Sequence, residues 1–326
     1  MNLLTSSNRS QRWDEGKQKA GITFVLLGFS EYPNLQVLLF LVFLTIYIVS
    51  VLGNLGMILI IRMNSKLHTP MYFFLSHLSF TDFCYSSALT PKLLEIIIVE
   101  DKTVPFKECM TQFFFGCTCV ITEIFMLAVM AYDRFVAVCN PLLYTVVMSP
   151  KLCALLVAGT YMWSGLCTSI LTYCLLQLSY CGSNIIDHFC CEYSAVLSVS
   201  CSDTSLSQLI CFVMTIFNET CSLLIILVSY VFIVITVIKI PSKSGLRKAF
   251  STCASHLTTI SIFHGVILLL YCVFNSRSPS ILGKVATVFF SIVIPMLNPL
   301  IYSLRNTEVK ETIRKLICIK VNSHSK

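Results

Sequence analysis

Seven stretches of mostly apolar residues, at 37–61, 70–94, 110–138, 152–176, 206–238, 249–273 and 281–303, are separated by shorter polar segments. A helix needs roughly 20 apolar residues to cross the hydrocarbon core of a bilayer, and each stretch meets that length. Barrel strands would alternate apolar and polar residues, which these stretches do not. The pattern predicts an all-α membrane protein, a seven-transmembrane helix bundle whose backbone polar groups are satisfied within each helix. The expected organisation is an extracellular N-terminal tail over 1–36, the transmembrane domain over 37–303 and a cytoplasmic tail over 304–326. Residues 308–319 read as a short amphipathic helix in that tail. Residues 1–30 are polar and mixed in charge, unlike a cleaved signal peptide, so the first helix is expected to direct insertion.

Composition agrees with a bilayer as solvent. Of 326 residues, 56% are hydrophobic and only 12% charged, and the mean hydropathy is +0.81, too apolar for one water-soluble core. Orientation follows from Lys and Arg. With the N-terminus outside, 14 of the 23 basic residues lie on the cytoplasmic side against three acids, while the outer segments hold nine against ten. The net charge of +7 is thus a topology signal, and no contiguous soluble basic face points to nucleic acid. The run Lys239, Lys243, Arg247 and Lys248 frames a cytoplasmic partner's contact or simply marks topology.

Ionisable residues inside membrane helices mark function. Asp133 and Arg134, in MAYDRFVAVCNPL at 130–142, sit at the cytoplasmic end of the third stretch. A snorkelling Arg that marks a helix end would not need the acid beside it. Asp82 and Glu123 sit mid-helix, where an isolated carboxylate is strongly disfavoured. Either one carries a proton, or a hard cation such as Na⁺ bridges them with Asn54 and Asn298. No other cofactor is expected. An enzyme would need a reactive constellation, and neither HExxH nor GxSxG occurs. A secondary transporter would show internal repeats, and these seven spans show none.

Most of the 17 cysteines lie inside helices as small apolar residues. Cys109, Cys181, Cys191 and Cys201 sit at outer helix ends or in the loop 177–205, an oxidising location. Four cysteines allow three pairings, and Cys190 beside Cys191 adds a further ambiguity. Asn8-Arg9-Ser10 is a glycosylation sequon in the outer tail; Asn218-Glu219-Thr220 falls within the fifth stretch and is read as chance.

Eight runs, taken in order, resemble the olfactory receptor family of rhodopsin-like G-protein-coupled receptors from about residue 24 to 315. These are LLGFS at 26–30, GN at 53–54, LHTPMYFFLSHLSFTDFCYSS at 67–87, PK at 91–92, MAYDRFVAVCNPL at 130–142, SY at 229–230, KAFSTCASHLTT at 248–259 and PMLNPLIYSLRN at 295–306. The fifth and sixth stretches contain no Pro, which points to the same branch. The resemblance implies a small-molecule odorant bound from outside and a heterotrimeric stimulatory G protein engaged inside, in a multi-pass protein of the plasma membrane. It also implies disulfides Cys109–Cys191 and Cys181–Cys201, Asp133 holding Arg134 at rest, and Tyr230 and Tyr302 turning toward Arg134 on activation. Related receptors hold sodium near the positions of Asp82 and Glu123. A receptor for a non-volatile metabolite outside the nose is the nearest alternative, since site chemistry rather than fold decides function.

A ligand site belongs between helices in the outer half, mostly apolar with a few polar groups. Helical spacing puts Phe113, Gly116, Cys117, Val120 and Ile121 on one stripe of the third helix, and Met214 and Asn218 on the fifth. His264, Ile267, Leu268 and Tyr271 follow on the sixth, with Val288 and Ser291 on the seventh. The expected ligand is small and mainly apolar with one hydrogen-bonding group, anchored by His264 and Asn218. Glu219 ranks below them. The chain departs from the family at His264, where many members have Tyr, and at Tyr161 and Trp163, which leave the fourth helix's register open. Its outer tail is long, and Cys318 is a candidate for palmitoylation.

Overall fold

A computed structural model of the chain describes residues 21–29, 33–239, 243–274, 281–305, 309–310, 312 and 314; over 243–252, 271–274, 281–282 and 304–305 it describes the backbone alone. Asn8, Cys318, Tyr271's side chain and the basic side chains of Lys243, Arg247 and Lys248 lie outside the described residues.

Seven spans form the bundle: α1 Gln36–Met63, α2 Pro70–Ile98, α3 Phe106–Cys139, α4 Pro150–Gln177, α5 Ser205–Ile238, α6 Lys243–Phe274, and a composite seventh. The seventh consists of α7 Ile281–Val288, a π-helical turn Phe289–Val293 and α8 Ile294–Arg305. Every helix contains its apolar stretch, most running past it by a few residues, because helical hydrogen bonds continue until the chain turns at a cap. Ser149 caps α4 by accepting from the Leu152 N–H, and Pro70 and Pro150 occupy first-turn positions where no N–H is needed.

By length and apolar content six of the described helices qualify as membrane crossers, and α2 does not. Its shortfall is its inward face: Ser79, Thr81, Asp82, Ser86 and Thr90 are all buried. The π turn has a cause too. Pro295 cannot return a hydrogen bond to the carbonyl four residues back, and just before it the Ile294 N–H reaches Phe289 instead, widening the ladder. Gly53 lets α1 approach α8: a Cβ there would come within 3.1 Å of Pro299 Cγ.

Two apolar clusters divide the bundle's height. The larger includes Phe74, Leu78, Met126, Leu127, Met130, Phe263 and Tyr302. The outer one joins helix ends to a small three-stranded sheet that the apolar pattern did not predict. Its central strand β1, Thr23–Leu26, pairs antiparallel with β2, Thr103–Pro105, and parallel with β3, Ile185–Ile186. Part of the expected tail is therefore built into the outer face, with Phe24 and Leu26 fully buried. At the end of the bundle opposite the sheet, Asn64 donates to Thr312 Oγ1 at 2.7 Å, and the described positions 309, 310, 312 and 314 are helical.

Candidate functional site

At the inner end of α3, Arg134 donates to Asp133 Oδ2 at 2.9 Å. Asp133 is fully buried, and its other oxygen accepts from the Tyr144 hydroxyl at 2.8 Å. Tyr144 opens the short helix Tyr144–Val147 in the second inner loop. Burial, reinforced by the Asp133 charge, pushes its phenol well above the ordinary value, so it stays a donor. Tyr230 of α5 shares a 2.8 Å hydrogen bond with His256 Nδ1 of α6 rather than meeting Arg134. Tyr302 is buried and its hydroxyl has no hydrogen-bond partner among the described residues.

One layer outward, Asn298 donates both to Asp82 Oδ2 at 3.0 Å and to Glu123 Oε1 at 3.1 Å. Asp82 Oδ1 has no partner among the described residues. These buried oxygens suit a hard monovalent cation or one shared proton, and of the expected set Asn54 keeps its Oδ1 buried and without a partner among the described residues. Its amide donates to Ser50 O at 3.0 Å and Pro295 O at 2.8 Å, so it braces the kinked seventh span.

Higher still, Glu219 Oε2 and His264 Nδ1 make a 2.8 Å contact between α5 and α6, both residues buried. Asn218 instead accepts from Trp163 Nε1 at 2.8 Å and donates to Met214 O, which fixes it against α4. Leu268 is 57% exposed and faces lipid. Phe113, Gly116, Ile121, Ile267 and Ser291 are buried, while Cys117, Val120, Met214 and Val288 are half-buried. Gly116 looks toward Tyr85 and Leu89 of α2. A cleft of about 670 Å³ elsewhere, lined by Phe125, Ala128, Trp163, Phe217, Cys221 and Ile225, opens between α3, α4 and α5 toward lipid.

Above these residues the second outer loop descends as a lid. Cys109 is bonded to Cys191 and Cys181 to Cys201, while Cys190 stays free and buried. Gln112 accepts from the Cys191 N–H at 2.9 Å, and Tyr193 lies 5.6 Å from Phe113 between ring centres. Lys284 of α7 donates to Asp187 Oδ1 and to Gly28 O, joining the seventh span, the loop and the N-terminal segment. His188 Nδ1 accepts from the Cys190 N–H at 3.3 Å, and burial holds its pKa below the ordinary value, against the pull of Glu192.

Residues 43–320 match the family described as Olfactory receptor. The chain belongs to that family. It is 69% identical to mouse Olfactory receptor 1165 over 312 residues, covering 96% of this chain and 99% of the relative. Human Olfactory receptor 5D18 is 61% identical over 322 residues, covering 99% and 100%. Squid rhodopsin shares the fold with a TM-score of 0.71 at 18% identity, covering 89% of this chain and 87% of that one. The chain is therefore an odorant receptor of the multi-pass, G-protein-coupled kind and not an enzyme.

Within this olfactory receptor some sequence-derived residues are brought together, some are not, and other residues of the site were missed. Asp133 with Arg134, and Asp82 with Glu123 and Asn298, are brought together. Asn218 and Leu268 are not where the stripes put them. The reason is rotational: adjacent helix positions differ by about 100°, so when Glu219 faces α6, Asn218 faces α4. Tyr144, His256, Lys284 and Asp187 were missed. Tyr144 follows the NPL turn that ends α3, and that spacing was the available signal.

Proposed function

We propose that this receptor sits in the plasma membrane with its N-terminus outside, takes a small, mainly apolar odorant beneath the disulfide-tied lid, and activates a stimulatory G protein. The observation that carries the reading is the Arg134–Asp133 contact at 2.9 Å, closed off by Tyr144. A guanidinium fixed to a buried carboxylate is withheld from any partner at the inner face, and an agonist that favours the bundle without that contact releases it by population shift. Tyr230, now paired with His256, and the unpartnered Tyr302 hydroxyl are the groups proposed to receive Arg134.

Phe113, Ile121, Ile267 and Ser291, with the half-buried Val120 and Val288, supply the chamber's apolar wall and few polar points. Asp82, Glu123 and Asn298 below it are proposed to hold one Na⁺, which would supply only the missing positive charge. Cells expressing the full chain, screened against an odorant panel with cyclic AMP as readout, test the function. Agonists should raise cyclic AMP in the wild type and not in Arg134→Gln at equal surface level. An undiminished response in Arg134→Gln would overturn the switch.

A further inference from the structure

We infer that Glu219 and His264 form a two-point recognition element selecting ligands whose polar group both donates and accepts a hydrogen bond, namely alcohols and carboxylic acids. The inference rests on the odorant-receptor reading and goes beyond it by naming the ligand's chemistry.

Glu219 Oε2 and His264 Nδ1 already satisfy each other at 2.8 Å. The outer atom of each group, Glu219 Oε1 and His264 Nε2, is buried without a hydrogen-bond partner among the described residues. Their side chains are 11% and 5% exposed. Buried polar atoms are nearly always paired, so two orphans on one contacting pair point to a third group that meets both.

Proton counting fixes what that group must be. No Lys or Arg is bonded to either residue in the described structure, so at this depth the pair is stable only with no net charge. A net-neutral carboxyl and imidazole together hold two protons. One lies in the Oε2–Nδ1 contact. The other is therefore on an outer atom. In the ion pair it is on Nε2 and Oε1 accepts. In the neutral pair it is on Nε2 or on Oε1, and the remaining outer atom accepts. Every arrangement presents one donor and one acceptor. A hydroxyl complements that edge completely, and so does a carboxylic acid that binds in its protonated form. A ketone, ether or ester can only accept, and leaves a buried acceptor unmatched, weakening binding roughly tenfold to a hundredfold.

The test uses the full-length receptor, purified into lipid nanodiscs for thermal-shift binding and expressed in cells for cyclic AMP. Probes are straight-chain alcohols and carboxylic acids of roughly six to ten carbons with the methyl ethers and methyl esters of the same chains. Wild type should bind the alcohols or acids at least about tenfold better than their methylated partners. Glu219→Gln retains one outer donor and one outer acceptor and should keep that ratio. Glu219→Met should lose it, and so should the double variant Glu219→Met/His264→Phe, which removes both polar groups together and leaves no orphan to disturb folding. Equal binding of methylated and free compounds in wild type overturns the inference, as does binding of no alcohol or acid, or a ratio unchanged in the double variant. Selective binding without any cyclic AMP response would sustain the recognition element and overturn the signalling reading alone.

Discussion

Tyr144 donates to one oxygen of Asp133 while Arg134 holds the other, so the carboxylate that restrains the switch is itself restrained from the second inner loop. A hydrogen bond to a charged group contributes about 1.5–3 kcal/mol. Tyr144→Phe keeps the ring and removes that bond, and should raise basal cyclic AMP several-fold at equal surface level. An unchanged basal signal would show that the loop does not hold Asp133 in place.

If Asp82 and Glu123 share a cation, Na⁺ should stabilise the resting bundle. Replacing extracellular and assay Na⁺ with a bulky organic cation should then raise basal output in wild type and leave Glu123→Gln unaltered. The same response in both proteins would rule out the ion in favour of a shared proton.

His188 gives the lid a dependence on pH. Its folded pKa lies below the ordinary value of about 6.5, so the unfolded loop takes up a proton first as pH falls. Stability from the neutral ring is complete above about 6.5 and is lost on acidification toward the folded value. The groups around it are Glu192 and Asp187, which favour the charged ring, and Lys284, which opposes it. Amide exchange over 185–193, corrected for intrinsic rates, should quicken between pH 7.5 and 5.5 in wild type and not in His188→Asn. Equal behaviour of the two would discard this account.

Trp163 and Asn218 make a structural rather than a recognition contact at 2.8 Å. Asn218→Leu orphans the indole N–H at a cost of about 1–3 kcal/mol. The melting temperature should drop while the order of agonist preference stays fixed. A reordered preference at unchanged stability would return Asn218 to the ligand chamber.

The helices were readable because each is a long local pattern whose solvent is uniform. The sheet was not: β1 is four residues long, and its partners lie about 80 and 160 positions away, so no local period announces it. Asp133 and Arg134 were legible as rare charges in an apolar context, whereas Tyr144 and His256 look ordinary until folding sets them against a partner. At Asn218 and Glu219 the apolar pattern fixes the helix but not its rotation, and it could not tell that Asn218 meets Trp163 of α4 while Glu219 meets His264 of α6.

Because Phe24 and Leu26 seat against Ile96, Val104 and Phe106, the boundary for safe engineering lies upstream of Thr23. An epitope or trafficking leader fused ahead of residue 21 leaves the strand in place, while trimming through Leu26 strips a greasy plug from the mouth of the molecule. The four residues of β1 thus decide where a biochemist can cut.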